Sequence, residues 1–111
     1  MLYEIIYYSS KVQEEILAFP TDVLADFLRI SDLLAEFGPE LRLPHSRAMG
    51  NGLFELRPKG KEGIGRVFYC FLVGRKIMIL HSFIKKTQKT PRKELQLAQS
   101  RIQEVKHAHT R

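Results

Sequence analysis

The sequence predicts a small α+β domain with the element order β-α-α-β-β-β-α. It should hold a short antiparallel or mixed sheet, two N-terminal helices packed on one face, and a C-terminal helix. Three observations predict this. Strand-like runs rich in Ile, Val, Phe and Tyr occur once near the N-terminus and three times in succession between Leu53 and Ile84. Two other stretches, one before Gly38 and one after Pro91, repeat apolar residues at three- and four-residue steps. The chain has 111 residues, 44% of them apolar and 27% charged, enough to fill and cover one core but not two. Residues 1–111 are therefore read as a single domain.

Each element has its own signature. Leu2 to Tyr8, LYEIIYY, reads as a strand with both faces largely apolar. Ser10 offers a helix cap, with Gln13 completing a capping box, and Val12, Ile16 and Phe19 follow at helical spacing until Pro20 ends the helix. Thr21 or Asp22 can cap a second helix, in which Val23, Phe27, Ile30, Leu34 and Phe37 form a stripe that Gly38-Pro39 stops. These helices are expected to form a hairpin over one face of the sheet, with the other face left to carry Arg57, Arg66 and their neighbours. Residues 40–52 read as a loop. Leu53 to Arg57 is the second strand, with Glu55 and Arg57 on one side and Phe54 and Leu56 on the other. PKGKEG is a basic turn, and Ile64 to Val73 is the third strand, with Arg66 near its start. Gly74-Arg75 suits a two-residue hairpin turn, Gly supplying positive φ. Lys76 to Ile84 is an almost wholly apolar fourth strand, as a central strand requires. After the basic loop KKTQKT, Thr90-Pro91 starts a last helix with Pro at its first position, and Leu95, Ala98, Ile102 and Val105 give it one apolar face. The tail HAHTR is expected to fray.

Charge is distributed unevenly. Residues 1–40 carry two bases against eight acids, a net of −6, whereas residues 57–93 carry eleven bases against one acid, Glu62, a net of +10. Such a field draws polyanions to one face, and RNA phosphates are the expected ligand. No apolar run approaches the roughly 20 residues that cross a bilayer. The N-terminus lacks the basic start, apolar centre and cleavage site of a signal peptide. The single cysteine, Cys70, lies inside an apolar strand and reads as an inert core residue. A cytoplasmic protein without membrane association is expected.

Several chemistries are excluded by residue type and spacing. His45, His81, His107 and His109 are not spaced as a zinc set, and neither a P-loop, a dinucleotide fingerprint nor a nucleophile elbow is present. The basic half lacks paired carboxylates that would hold Mg²⁺. No cofactor is expected. What remains is a set of cations on a sheet, which is what RNA cleavage without metal uses: the 2′-hydroxyl attacks the neighbouring phosphorus, and fixed cations stabilise the charge that builds on the phosphoryl oxygens. Arg57 and Arg66 suit this because a guanidinium grips two phosphate oxygens and because strands hold both. Lys85, Lys86 and Lys89 follow the fourth strand and can bind flanking phosphates. The general base is open between a lysine of lowered pKa, His45 and His81. The last of these, amid Ile79, Leu80 and Phe83, fits a hydrogen-bonded core histidine better.

The segments LPHSRAMGNG, GLFELRPKG and GIGRVFYCFLVGRKIMILHSFIKKTQKTP closely resemble the phage-derived, HigB-like branch of the RelE/ParE toxin superfamily. The most specific pieces are the ELR strand, Arg66 to Tyr69 as R-x-x-Y, and Phe83, Lys85, Lys86, Lys89 and Pro91 as F-x-K-K-x-x-K-x-P. The resemblance implies the toxin of a type II toxin–antitoxin module, an mRNA endonuclease that acts in the ribosomal A site. Its partner would be a HigA-like helix-turn-helix antitoxin. By this resemblance Arg57, Arg66, Lys85 and Lys86 match the basic catalytic positions, with Lys89 as a phosphate contact. From the residues themselves, His45 joins the catalytic candidates as a proton carrier, and Arg47, Lys59, Lys61 and Arg92 join the RNA-binding ones. The alternative for each arginine is a surface ion pair, with Glu55 the obvious partner. Relatives that place an aromatic or a histidine near the C-terminus differ from this chain, whose last helix has no Tyr or Phe. The same superfamily contains inhibitors of DNA gyrase, and a phage interaction protein without catalysis is a third possibility.

Overall fold

A computed structural model describes residues 2–86 and 89–109. Six strands and three helices occur in the order β1 (Glu4–Tyr7), α1 (Ser10–Leu17), α2 (Thr21–Phe37), β2 (Ser46–Gly50), β3 (Leu53–Leu56), β4 (Lys59–Gly60), β5 (Gly63–Leu72), β6 (Lys76–Lys85) and α3 (Arg92–His109). The strands form one mixed sheet of order β1-β6-β5-β3-β2, with β4 paired to the start of β5. β1 runs parallel to β6, and the other pairs are antiparallel. The expected α+β order therefore holds, with two short strands added.

The sheet is covered on both sides. On one face, Val12 and Ile16 of α1 and Val23, Phe27, Ile30 and Leu34 of α2 pack on Leu56, Val67, Tyr69, Ile77 and Ile79. On the other, Ala98, Ile102 and Val105 of α3 pack on Leu53, Phe68, Cys70 and Leu80. From the sequence, this second face was expected to lie open for the arginines. Instead α3 occupies part of it, because its apolar stripe needs a partner and the first face is already taken. The arginines are confined to the remainder.

Local differences from the expected elements have simple causes. The cap of α1 is Ser9, whose hydroxyl accepts the Val12 N–H at 3.2 Å, one residue before the expected Ser10. α2 begins at Thr21 after Pro20, without a side-chain cap. It ends at Gly38, whose φ of 55° lies in the left-handed region, and a Cβ there would stand 2.4 Å from the Tyr3 ring. Residues 46–50, read as loop, form β2. This is an edge strand with one neighbour, so it carries no buried apolar run, and a bulge between Ala48 and Gly50 interrupts its register. Leu72 pairs with Lys76, so the β5–β6 loop has three residues, with Gly74 and Arg75 both at positive φ. Pro91 lies just outside α3, and its carbonyl accepts the Glu94 and Leu95 N–H groups. Helix α3 continues through His107 to His109, into the tail expected to fray, while Thr110 and Arg111 lie outside the described residues.

An irregularity in β6 decides which residues its C-terminal half presents to each face. Phe68 pairs with His81 but Tyr69 pairs with Ile79, so β6 carries an extra residue at Leu80. Leu80 packs under α3, and His81, the next residue, reaches Glu94 of the same helix. Side chains normally alternate between faces, so the bulge moves the odd-numbered residues beyond it onto the α3 side. Phe83 packs there with the α3 cluster, and Ile84 turns to the α1–α2 side. Lys85 follows Phe83 in this alternation.

Candidate functional site: a cationic hollow beside α3

Two rows of residues cross the α3 face of the sheet. Arg47, Glu55, Phe68 and His81 lie opposite one another on β2, β3, β5 and β6. In the next row Arg66 pairs with Phe83, and Arg57 follows Leu56, the partner of Val67. Both arginines thus lie on one side of the sheet, as a shared phosphate site requires, and they meet at one carboxylate. Glu55 is only 1% exposed. Its Oε1 accepts from Arg57 Nη1 at 2.9 Å and stands 3.6 Å from Arg66 Nε. Its Oε2 accepts from Thr90 Oγ1 at 3.3 Å, tying the entry of α3 to the arginines.

Arg66 is 5% exposed and donates from Nη1 to the Gly65 carbonyl at 2.8 Å. Its Nε finds no hydrogen-bond partner among the described residues. Burial lowers its pKa, the charges of Arg57 and Arg47 lower it further, and Glu55 opposes them. Lys85 responds in the same way: desolvation lowers its ammonium pKa most, followed by Arg66 and Arg57, while Glu55 raises it and Arg47 adds a smaller decrease. One carboxylate shared among several cations leaves an excess of positive charge in a partly desolvated space, where its field acts most strongly.

That space is a hollow of about 480 Å³ lined by Arg47, Met49, Glu55, Arg57, Lys85, Lys89, Thr90 and Leu95. Arg57 also forms a wall of a second hollow of about 580 Å³, with Arg66, Lys59, Leu43, Pro44 and Ile64. Of the expected catalytic residues, Arg57, Arg66 and Lys85 are gathered here. Lys86 is exposed beyond the end of β6. His45 contributes its backbone, accepting the Arg57 N–H at 2.9 Å and so holding the arginine's main chain in place. Of the expected RNA-binding residues, Arg47, Lys59 and Lys89 line these hollows, whereas Arg92 is exposed at the start of α3. Lys61 lies elsewhere, beside Asp22, Asp26 and Arg29. The α2 carboxylates capture the turn by accepting the Lys59 N–H at 2.9 Å and the Glu62 N–H at 3.1 Å, which draws Lys61 toward the acidic helix. His81 is a buried histidine bonded through Nε2 to Glu94 at 2.7 Å, as expected for a core position. Cys70 is buried, and desolvation pushes its thiol up to about 11, away from reactivity.

From the sequence, Glu55 was expected only as an ion-pair partner for the arginines, and Thr90 only as part of a helix start. The signal for Glu55 was present, as an acid two residues before Arg57 on the same side of a strand. The signal for Thr90 was not, because its partner lies 35 positions away. Among the described residues, no three His, Cys, Asp or Glu side chains are grouped to hold a metal ion, and no helix is long and apolar enough to cross a membrane.

A sheet wrapped by three helices, with half of one face left open and cationic, is the RelE type of α+β fold. The structure matches a chain of the crystal structure of the archaeal RelE–RelB complex from Pyrococcus horikoshii OT3 with a TM-score of 0.54 at 22% identity, over 76% of this chain and 96% of that one. The chain belongs to the family described as Phage derived protein Gp49-like (DUF891), which matches residues 14–103. No curated protein matches.

Proposed function

We propose that this protein is the toxin of a type II toxin–antitoxin module, a cytoplasmic endoribonuclease that cuts mRNA in the ribosomal A site. The observation that carries the reading is the grouping of Arg57, Arg66 and Lys85 around the buried Glu55, in two hollows that share Arg57 as a wall. The fold shared with the RelE–RelB structure supports it.

In this reading the scissile phosphate lies against Arg57 and Arg66. The 2′-hydroxyl of the preceding nucleotide attacks phosphorus, and the 5′-oxygen of the next nucleotide leaves. The arginine forks stabilise the charge gathering on the phosphoryl oxygens. Lys85, with its lowered pKa, takes the proton from the 2′-hydroxyl. Arg47, Lys86, Lys89 and Arg92 bind flanking phosphates. The partner is a helix-turn-helix antitoxin of the HigA kind that silences the toxin.

A translating extract programmed with a defined message tests the reading. Cleavage at discrete positions, seen only while ribosomes translate, is the expected result. An intact message with blocked DNA supercoiling would make the protein a gyrase inhibitor. Neither effect would make it an interaction protein.

A further inference from the structure

We propose that the hollow between Leu43-Pro44 and Ile64 is a nucleobase subsite, holding the base of one nucleotide that flanks the cut. This inference rests on the RNA-cleaving reading above. Arg57 is the shared wall of two hollows, so a phosphate bound there has one on each side. They differ in chemistry. The larger, about 580 Å³, is walled by Leu43, Pro44 and Ile64 and rimmed by Arg57, Lys59 and Arg66, with no acid in its lining. The other is lined mostly by polar and charged side chains, Glu55 among them.

Leu43 and Ile64 stand 63% and 42% exposed and belong to neither core cluster. Exposed apolar surface outside both cores, in a concave site with a few placed polar groups, fits a ligand with apolar faces and charged edges. A nucleotide has that character: its base has two flat faces and its phosphates are anionic. The three cations favour it over an apolar peptide, which offers no charge to match them. The last helix of this chain holds no Tyr or Phe to stack on a base, and aliphatic walls accept any base because they read its face and not its edge.

The full-length protein is assayed on ribosomes programmed with a message that it cuts, with each nucleotide flanking the cut replaced in turn by an abasic ribose. Leu43→Ser and Ile64→Ser change exposed side chains, so both variants should keep the parent's circular dichroism. Each is expected to raise the half-saturating toxin concentration about fivefold, at the low end of losses for removing a stacking surface. Leu28→Ser, which changes an exposed side chain on the far side of the sheet, should retain parental affinity. The abasic message should weaken the parent by a similar factor at one of the two positions, and there Ile64→Ser should cost nothing further. Unchanged affinity in both serine variants, or losses that add on the abasic message, would overturn the subsite while leaving the ribonuclease reading intact. A parent that cuts no message would overturn both.

Discussion

At the residue scale, the decisive feature is the sharing of one buried carboxylate by two arginines. Arg66 is held by Glu55 and by the Gly65 carbonyl, so its guanidinium is oriented before any substrate arrives. Preorganised donors avoid the cost of reorganisation in the transition state. Arg66→Ala is expected to lower cleavage by on the order of a hundredfold and to abolish growth inhibition. Arg66→Lys should not restore it, because a point charge cannot replace the planar fork. Both are read by induced growth curves and by the cut message, with circular dichroism confirming the fold. Glu55→Gln separates binding from chemistry. Removing a negative charge from a polyanion site should leave ribosome affinity equal or tighter, while the loosened arginines lower the single-turnover rate. A weaker affinity with an unchanged rate would show that Glu55 does not aim them.

At the scale of elements, the bulge in β6 and the docking of α3 place the cations. If β6 kept the same residues but ran in strict alternation without the bulge, Lys85 would turn toward the α1–α2 side. Helix α3 is pinned by Thr90 on Glu55 and by Glu94 on His81, so its entry and the arginine cluster share a network. Glu94→Ala leaves His81 Nε2 buried without this partner, and its expected cost is on the order of 1–3 kcal/mol in urea unfolding. A variant as stable as the parent would mean that this bond adds nothing to the docking of α3. This is also the scale at which the sequence was least legible. The periodic stripes of α2 and α3 and the apolar β5 and β6 were readable because packing imposes their period. β2 was not, since an edge strand with exposed Arg47, Ala48 and Gly50 has no buried period to display. The bulge left no mark in composition. The shared face of Arg57 and Arg66 follows from strand alternation, whereas the position of Lys61 was not legible because two aspartates on a distant helix decide where the turn goes.

At the scale of the molecule, an acidic helical layer backs a sheet whose opposite face is basic. The charge polarity of the sequence thus becomes a spatial one, apart from the turn that α2 captures. The core between the layers sets an alkaline limit on stability. Burial raises the Cys70 thiol to about 11 from 9.0, and burial outweighs the Ser46 hydroxyl in raising Tyr69 to about 12 from 10.0. Both groups hold their protons more tightly folded than unfolded. Their contribution is complete below the unfolded values and is lost as pH rises through the folded ones, a window from about pH 9 to about 12. Urea midpoints should therefore fall across that window. Cys70→Ala should be less stable at neutral pH but show a flatter decline between about pH 9 and 11. An equal slope in both proteins would place the alkaline sensitivity elsewhere.

All of this turns on whether the cationic hollow stabilises the attack of a 2′-hydroxyl on its own phosphodiester. Ribosomes programmed with a message carrying 2′-deoxyribose at the single nucleotide before the cut decide it. The protein is expected to bind these ribosomes as before and leave that position uncut, while the all-ribose message is cut to an end bearing a cyclic phosphate. Cleavage of the deoxy-substituted message at the parental rate would contradict the mechanism.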